Sequence, residues 1–159
     1  MLRARGSDLM GVSGRAGGII GWNKLFNDVA LFVNQAGKRA GAFTLALPIW
    51  HADIEEFLLC QTEHGDLRQK AYDIQPQVTY HDLFMELKGK AGDGSQNIWH
   101  TFCPHEVEKK LGLKIYDSFG DEFVRVYNEC VKAKQSGILK VGKEYNAKEL
   151  HKLVMKRLS

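Results

Sequence analysis

Asn34-Gln35-Ala36-Gly37-Lys38-Arg39-Ala40-Gly41 leads into Ala42-Phe43-Thr44-Leu45-Ala46-Leu47 and then Pro48-Ile49-Trp50-His51-Ala52-Asp53. The first run is a turn, the second a strand and the third a strand end. The turn sets two adjacent cations between two glycines. Glycine permits backbone angles and close approaches that a Cβ blocks. Lys and Arg beside such a backbone suit a phosphate, which both side chains and N–H groups can face. The strand is almost wholly apolar, as expected for a strand buried on both faces. With its flanks, 22–58 reads helix, turn, strand, turn, helix.

Working outward, residues 19–35 carry Trp22, Leu25, Phe26, Val29, Phe32 and Val33 at three- and four-residue spacing. This predicts an amphipathic helix with that stripe in the core, ended by Gly37 as a cap. Asp53, with Glu56 three residues on, predicts a capping box opening the next helix, whose apolar side is Ile54, Phe57 and Leu58. A strand over Tyr72–Val78 is interrupted at Pro76, and a helix follows from Thr79 through Leu87. Gly89–Gln96 is a loop by composition, and Asn97–Phe102 is a third strand. Pro104 opens a helix that stops near Gly112. Asp121–Lys134 is helical with Phe123, Val124, Tyr127 and Val131 inward. Asn146 caps a last helix that turns Leu150, Leu153, Val154 and Leu158 to the core. Helices alternating with three strands give an α/β class with a parallel sheet. Three strands cannot close a barrel, and so small a parallel sheet leaves long open edges, which implies a piece of something larger.

Composition narrows the function classes. At 159 residues, 44% hydrophobic and 26% charged, the chain has the make-up of one globular domain or part of one. No apolar run approaches the ~18 residues of a membrane span, and no signal-peptide core opens the chain, so a cytoplasmic location is expected. Three cysteines without a Cys-x-x-Cys fit a reducing compartment. A net charge of +3 does not indicate direct nucleic-acid binding. Residues 1–43, however, carry six Lys and Arg against two Asp, which makes an anion-binding end plausible.

Four other constellations invite chemistry. Gly137-Ile138-Leu139-Lys140-Val141-Gly142-Lys143-Glu144 approaches a P-loop, but Glu144 stands where a magnesium-holding hydroxyl belongs. The plainer reading is a helix cap followed by a basic turn. His100, Cys103 and His105 offer three metal ligands within six residues, without a fourth or a regular spacing. A strand end with incidental His and Cys is favoured. His51 beside Asp53 reads as a histidine that orients a turn rather than as an acid–base pair. Cys60 and Cys130 read as small buried hydrophobes.

Several motifs occur together and in order: Arg3-Ala4-Arg5-Gly6-Ser7, Asn27-Asp28-Val29-Ala30, Asn34 through Ala42, and Pro48 through Ile54. Asp82-Leu83-Phe84-Met85, Phe102-Cys103-Pro104-His105-Glu106 and Gly120-Asp121-Glu122-Phe123 continue the series. This series resembles the large (α) subunit of class I ribonucleotide reductase. The resemblance covers nearly the whole chain, so residues 1–159 are expected to be one partial barrel domain. It implies an α/β fold that is a slice of the family's ten-stranded barrel, about three strands with flanking helices.

The resemblance also implies roles. Asn34–Gly41 corresponds to the loop that relays effector identity to substrate choice, with Gln35, Gly37, Lys38, Arg39 and Gly41 as its site residues and Gln35 and Arg39 on substrate-contacting positions. Arg3 falls on an arginine that meets effector phosphates, and 11–18 is part of the effector-site region. Residues 19–35 lie at the dimer contact. Trp50 and His51 are scaffold. The implied ligands are nucleoside triphosphate effectors, with no cofactor bound directly. The implied partners are the remainder of the large subunit, a second large subunit, and a small subunit whose metal supplies the radical. The radical cysteine of an Asn-x-Cys-x-Glu loop and the paired redox cysteines of the family have no counterpart; Asn128-Glu129-Cys130-Val131-Lys132 has Lys in place of Glu and lies mid-helix. The expectation is therefore a central slice of an enzyme that reduces ribonucleotides to deoxyribonucleotides, inactive alone. The alternative is a non-catalytic nucleotide-binding module or remnant.

Overall fold

The structure is a computed structural model, and it describes residues 2–9, 13–33, 37, 41–62, 66–90 and 97–158. In chain order the elements are α1 (Ile20–Phe32), β1 (Phe43–Pro48), α2 (Ile54–Leu58), a 3-10 turn (Leu67–Gln69), β2 (Ile74–Thr79) and α3 (Asp82–Gly89). Then follow β3 (Ile98–His100), α4 (Pro104–Leu111), a second 3-10 turn (Ile115–Asp117), α5 (Gly120–Gln135), β4 (Glu144–Asn146) and α6 (Ala147–Leu158). The class is mixed α/β, and the described strands form no closed barrel.

β1 and β2 pair in parallel, Phe43 opposite Ile74 and Pro48 opposite Thr79. The strand runs straight through Pro76, which stands opposite Leu45. β1 is not buried on both faces as its composition implies. Thr44 and Ala46 are exposed, because only one neighbouring strand pairs with it among the described residues. The third expected strand is present but does not join this sheet. β3 pairs antiparallel with β4, a three-residue strand in a segment whose sequence reads as a basic turn. One parallel bridge, His51 to Phe102, links the two pairs.

α1 corrects the sequence reading most. Its buried positions are Ile20, Asn23, Asn27 and Ala30, whereas Trp22, Leu25, Val29 and Phe32 are exposed, Phe32 by 89%. Both faces carry apolar residues, so periodicity alone could not choose between them. Hydrogen bonding chooses: the Asn27 side-chain oxygen accepts the Asp73 N–H at 2.7 Å, just before β2. α1 ends at Phe32 with Val33 as its cap, not at Gly37.

The core gathers around Trp99. Its ring stacks on Tyr127 at 4.4 Å and meets Phe84 edge-on at 5.0 Å, and its indole N–H donates to the Ile49 carbonyl. The Tyr127 hydroxyl accepts the His100 N–H at 2.8 Å, tying α5 to β3. α5 presents Phe123, Val126, Tyr127, Cys130 and Ala133 inward, while Val124 and Val131 are only half-buried. Each such large apolar side chain contributes about 1.5–3 kcal/mol when fully buried. Gly112, left-handed at φ 68°, ends α4 as expected. Asn146 caps α6, its side-chain oxygen accepting the Lys148 and Glu149 N–H groups. Leu158 is exposed rather than inward. α3 starts at Asp82, since Thr79 still belongs to β2. No described helix is long and apolar enough to cross a membrane.

The near-P-loop segment has a structural occupant. The Glu106 carboxylate accepts the Lys140 N–H at 3.1 Å and the Val141 N–H at 2.9 Å, and the Lys110 ammonium. A carboxylate of the protein's own α4 fills the backbone nest that a phosphate would otherwise enter. Gly142 is required by the same turn: at φ 111°, a Cβ there would lie 1.9 Å from the Thr101 carbonyl oxygen. Burial pushes the Glu106 carboxyl up, but the Lys110 and backbone donors outweigh it and hold it below the usual glutamate value of 4.5.

A depressed folded-state pKa stabilises above the unfolded value and loses that stabilisation as pH falls through the folded one. Glu106→Gln should therefore lower stability at pH 7 and flatten the acid limb of the stability profile below about pH 4.5. Glu106→Ala should cost about 2–4 kcal/mol in denaturant unfolding, with exposed Glu108→Ala within about 0.5 kcal/mol of wild type. Equal effects of the Glu106 and Glu108 substitutions would show that the nest does not hold the turn.

Candidate functional site

The residues singled out by sequence fall on two connected pieces of backbone. The first is the N-terminal hairpin. Gly6 donates to Ala16 at 2.9 Å, Ala16 to Ser7 at 2.8 Å and Leu9 to Gly14 at 3.2 Å, with Asp8 and Arg15 bridged. Arg3, half-buried, precedes it. The second is the turn between α1 and β1. Gln35, Lys38 and Arg39 lie outside the described residues, as does most of 34–40. Gly37 and Gly41 are described. Gly37 is left-handed at φ 75°, and a Cβ added there would meet nothing within 4 Å. At Gly41 a Cβ would sit 2.6 Å from the carbonyl oxygens of Ala30 and Val33. Glycine is needed there because the chain leaves the turn across the end of α1.

Asp53 ties both flanks of the first piece to the start of α2. It makes no capping hydrogen bond to α2, contrary to the expected capping box. Instead its carboxylate reaches the N-terminal segment, accepting the Arg5 N–H at 2.9 and 3.1 Å and the Ile19 N–H at 3.2 Å. Ile19 is the residue that opens α1. Asp53 is 5% exposed, so these charge-assisted bonds form away from water. Arg5 adds an ion pair to Glu56 at 3.0 Å across the surface. Gly18, at φ 80°, allows the approach, since a Cβ there would lie 2.8 Å from the Asp53 carboxylate.

His51 works in the same frame. Its Nδ1 accepts the Asp53 N–H at 3.1 Å, which leaves the proton on Nε2 to donate to the Leu2 carbonyl at 3.2 Å. Burial pushes its imidazole below the usual range, opposed by the Asp53 carboxylate and the Leu2 carbonyl. It orients the turn, as its sequence position implies, and both ring nitrogens are used.

The other constellations do not assemble chemistry. No group of three or more His, Cys, Asp and Glu able to hold a metal occurs among the described residues. His100 instead faces Glu144 across the β3–β4 pair at 3.4 Å. Cys60, Cys103 and Cys130 are free and buried. Burial pushes the Cys60 thiol up to about 11 and the Cys130 thiol to about 12, so neither is a thiolate at neutral pH. Sequence reasoning missed the inward reach of Asp53 and the Glu106 nest. Neither is signalled in the sequence, because each acid meets donors more than thirty residues away.

Two substitutions test this frame. Asp53→Ala leaves two backbone N–H groups without their acceptor and should cost about 2–4 kcal/mol. Hydrogen exchange should then speed at the Arg5 and Ile19 amides and not in α6; unchanged Arg5 protection would refute the clamp. Gly41→Ala should cost about 1–3 kcal/mol by overpacking against the α1 terminus. Thermal unfolding would read this against Gly89→Ala, where a Cβ meets open space.

The ribonucleotide reductase barrel-domain family matches residues 1–159. The chain is 41% identical over 155 residues to the ribonucleoside-diphosphate reductase subunit alpha of Synechocystis sp., covering 98% of this chain and 19% of that protein. The subunit alpha of Treponema pallidum is 41% identical over 131 residues, 82% of this chain and 15% of that one. The ribonucleoside-diphosphate reductase large subunit of Arabidopsis thaliana is 39% identical over 129 residues, 80% of this chain and 15% of that one. The chain thus spans less than a fifth of the length of these relatives, and across its whole length it belongs to the ribonucleotide reductase barrel-domain family.

Proposed function

We propose that this chain acts as the regulatory centre of a ribonucleoside-diphosphate reductase large subunit, within the cytoplasm. The whole enzyme reduces ribonucleotides to deoxyribonucleotides by radical chemistry for DNA synthesis. This part is a slice of the ten-stranded barrel and carries the effector and substrate-selection loops. The observation that supports the reading best is the Asp53 clamp. It holds the segment bearing Arg3 and the opening residue of α1 on one carboxylate. The far end of α1 leads into the 34–41 turn, and Gly41 packs against that end. A nucleotide triphosphate met by Arg3 would pull on a backbone continuous with the turn that carries Gln35, Lys38 and Arg39.

In this reading the catalytic cysteines belong to the remainder of the large subunit, and the three buried thiols of this chain serve its packing. The radical comes from a metal-containing small subunit. A second large subunit covers the exposed face of α1, where Trp22, Leu25, Val29 and Phe32 form an apolar surface of the kind that marks interfaces. The open side of β1, with Thr44 and Ala46 exposed, faces further strands of the barrel.

The test is reduction of ribonucleoside diphosphates by the chain combined with the remaining large-subunit segments and the small subunit. Activity is expected only in combination. Arg39→Ala should change the ratio of bases reduced, and Arg3→Ala should weaken the response to effector by about tenfold, the loss of one charge-assisted phosphate contact. Effector binding without activity in any combination would favour a non-catalytic nucleotide-binding module. Activity of the chain alone would overturn both readings.

A further inference from the structure

His100 and Glu144 stand opposite each other in the antiparallel pair of β3 and β4. Each strand has only three residues. Two main-chain bonds close the pair at its ends. The Ala147 N–H donates to the Asn97 carbonyl at 2.8 Å, and the Thr101 N–H donates to the Lys143 carbonyl at 2.9 Å. β4 runs directly into α6, so this short pair fixes where that helix starts.

His100 is 7% exposed, and its Nδ1 is buried without a hydrogen-bond partner among the described residues. The Glu144 Oε1 lies 3.4 Å from that nitrogen but forms no hydrogen bond with it. The Glu144 side chain is 57% exposed, so water screens most of its charge. From α5 come Tyr127 and Lys134. The Tyr127 hydroxyl accepts the His100 N–H at 2.8 Å, and burial pushes that phenol up, so it brings no charge. The Lys134 ammonium donates to the neighbouring Thr101 carbonyl at 3.3 Å, which brings a cation close. In the turn before β4, the Lys143 ammonium is taken by Glu55 at 2.8 Å. Burial pushes the His100 imidazole below its usual range; Glu144 opposes this, and Lys134 adds to it.

We propose that His100 makes the β3–β4 pair an acid-sensitive latch on α6: a proton taken up by its ring loosens the pair and frees the start of the helix. In the imidazolium both ring nitrogens carry protons, and each needs an acceptor. The closed pair offers Nδ1 only the water-screened Glu144 carboxylate, with the Lys134 cation nearby, whereas the open pair offers water. A buried charge without a good partner is costly, so the proton favours the open form. The closed pair is therefore fully stabilised above about pH 6.5, the unfolded value, and loses that stabilisation as pH falls from there towards the lower folded value. Neither Arg3 nor the 34–41 turn takes part, so the latch stands whatever those segments bind.

The experiment is amide hydrogen exchange of the full chain by NMR from about pH 7.5 to about pH 5.5, with the His100 ring titrated in the same samples. Protection of the Thr101 and Ala147 amides, corrected for intrinsic exchange, should fall by about fivefold or more. The Val107 amide, bonded within α4 to the Cys103 carbonyl, should keep its protection. His100→Gln should abolish the fall, and His105→Gln should leave it as in wild type. Glu144→Gln removes the carboxylate that favours the imidazolium and should enlarge the fall, whereas Lys134→Met should reduce it. These two variants keep the ring in place, so they decide the matter even where His100→Gln does not fold. Constant protection at Thr101 and Ala147, an equal loss at Val107, or a His100 ring that titrates above its usual range would overturn the proposal. So would an unchanged fall in His100→Gln, or changes in the same direction in Glu144→Gln and Lys134→Met.

Discussion

One buried carboxylate, that of Asp53, holds the N-terminal part of this molecule together. Three backbone contacts converge on it, two from the Arg5 N–H and one from the Ile19 N–H. A buried carboxylate is costly unless fully satisfied, and here it is satisfied by peptide groups nearly fifty and thirty-four residues away in sequence. The N-terminal hairpin, the start of α1 and the entry to α2 are therefore a single unit. His51 stiffens that unit by fixing the Asp53 backbone from one nitrogen and Leu2 from the other. Long-range polar contacts of this kind position loops on a scaffold that has little sheet of its own.

α1 shows how a polar contact can overrule an apolar stripe. Burying Trp22, Leu25, Val29 and Phe32 would remove more apolar area from water than burying Asn23, Asn27 and Ala30. The observed choice is set by what lies beneath. The Asp73 N–H needs an acceptor, which Asn27 supplies. The apolar stripe left outside is then surface that another body can cover.

Glu106 performs the corresponding task at the other end. It occupies the turn after α5 with a carboxylate from α4, so the phosphate-like motif is already filled from within.

Much of this was legible in the chain itself. Local rules act over a few residues, and the elements that depend on them appear where expected: the Gly112 stop, the Asn146 cap, the Pro104 helix start and the parallel pairing class of β1. The family was legible too, because Arg3-Ala4-Arg5-Gly6-Ser7, Asn34–Gly41 and Pro48–Ile54 occur together and in order. Tertiary structure decided what local rules cannot reach. It turned Asp53 from a helix cap into a clamp, because folding brought the Arg5 and Ile19 N–H groups to its carboxylate. It inverted α1, and it made a strand of Glu144–Asn146 because His100 and its neighbours needed a pairing edge. Local sequence determines which residues can start, stop or turn the backbone; which face is buried, and which acid meets which donor, depends on segments that only folding brings together.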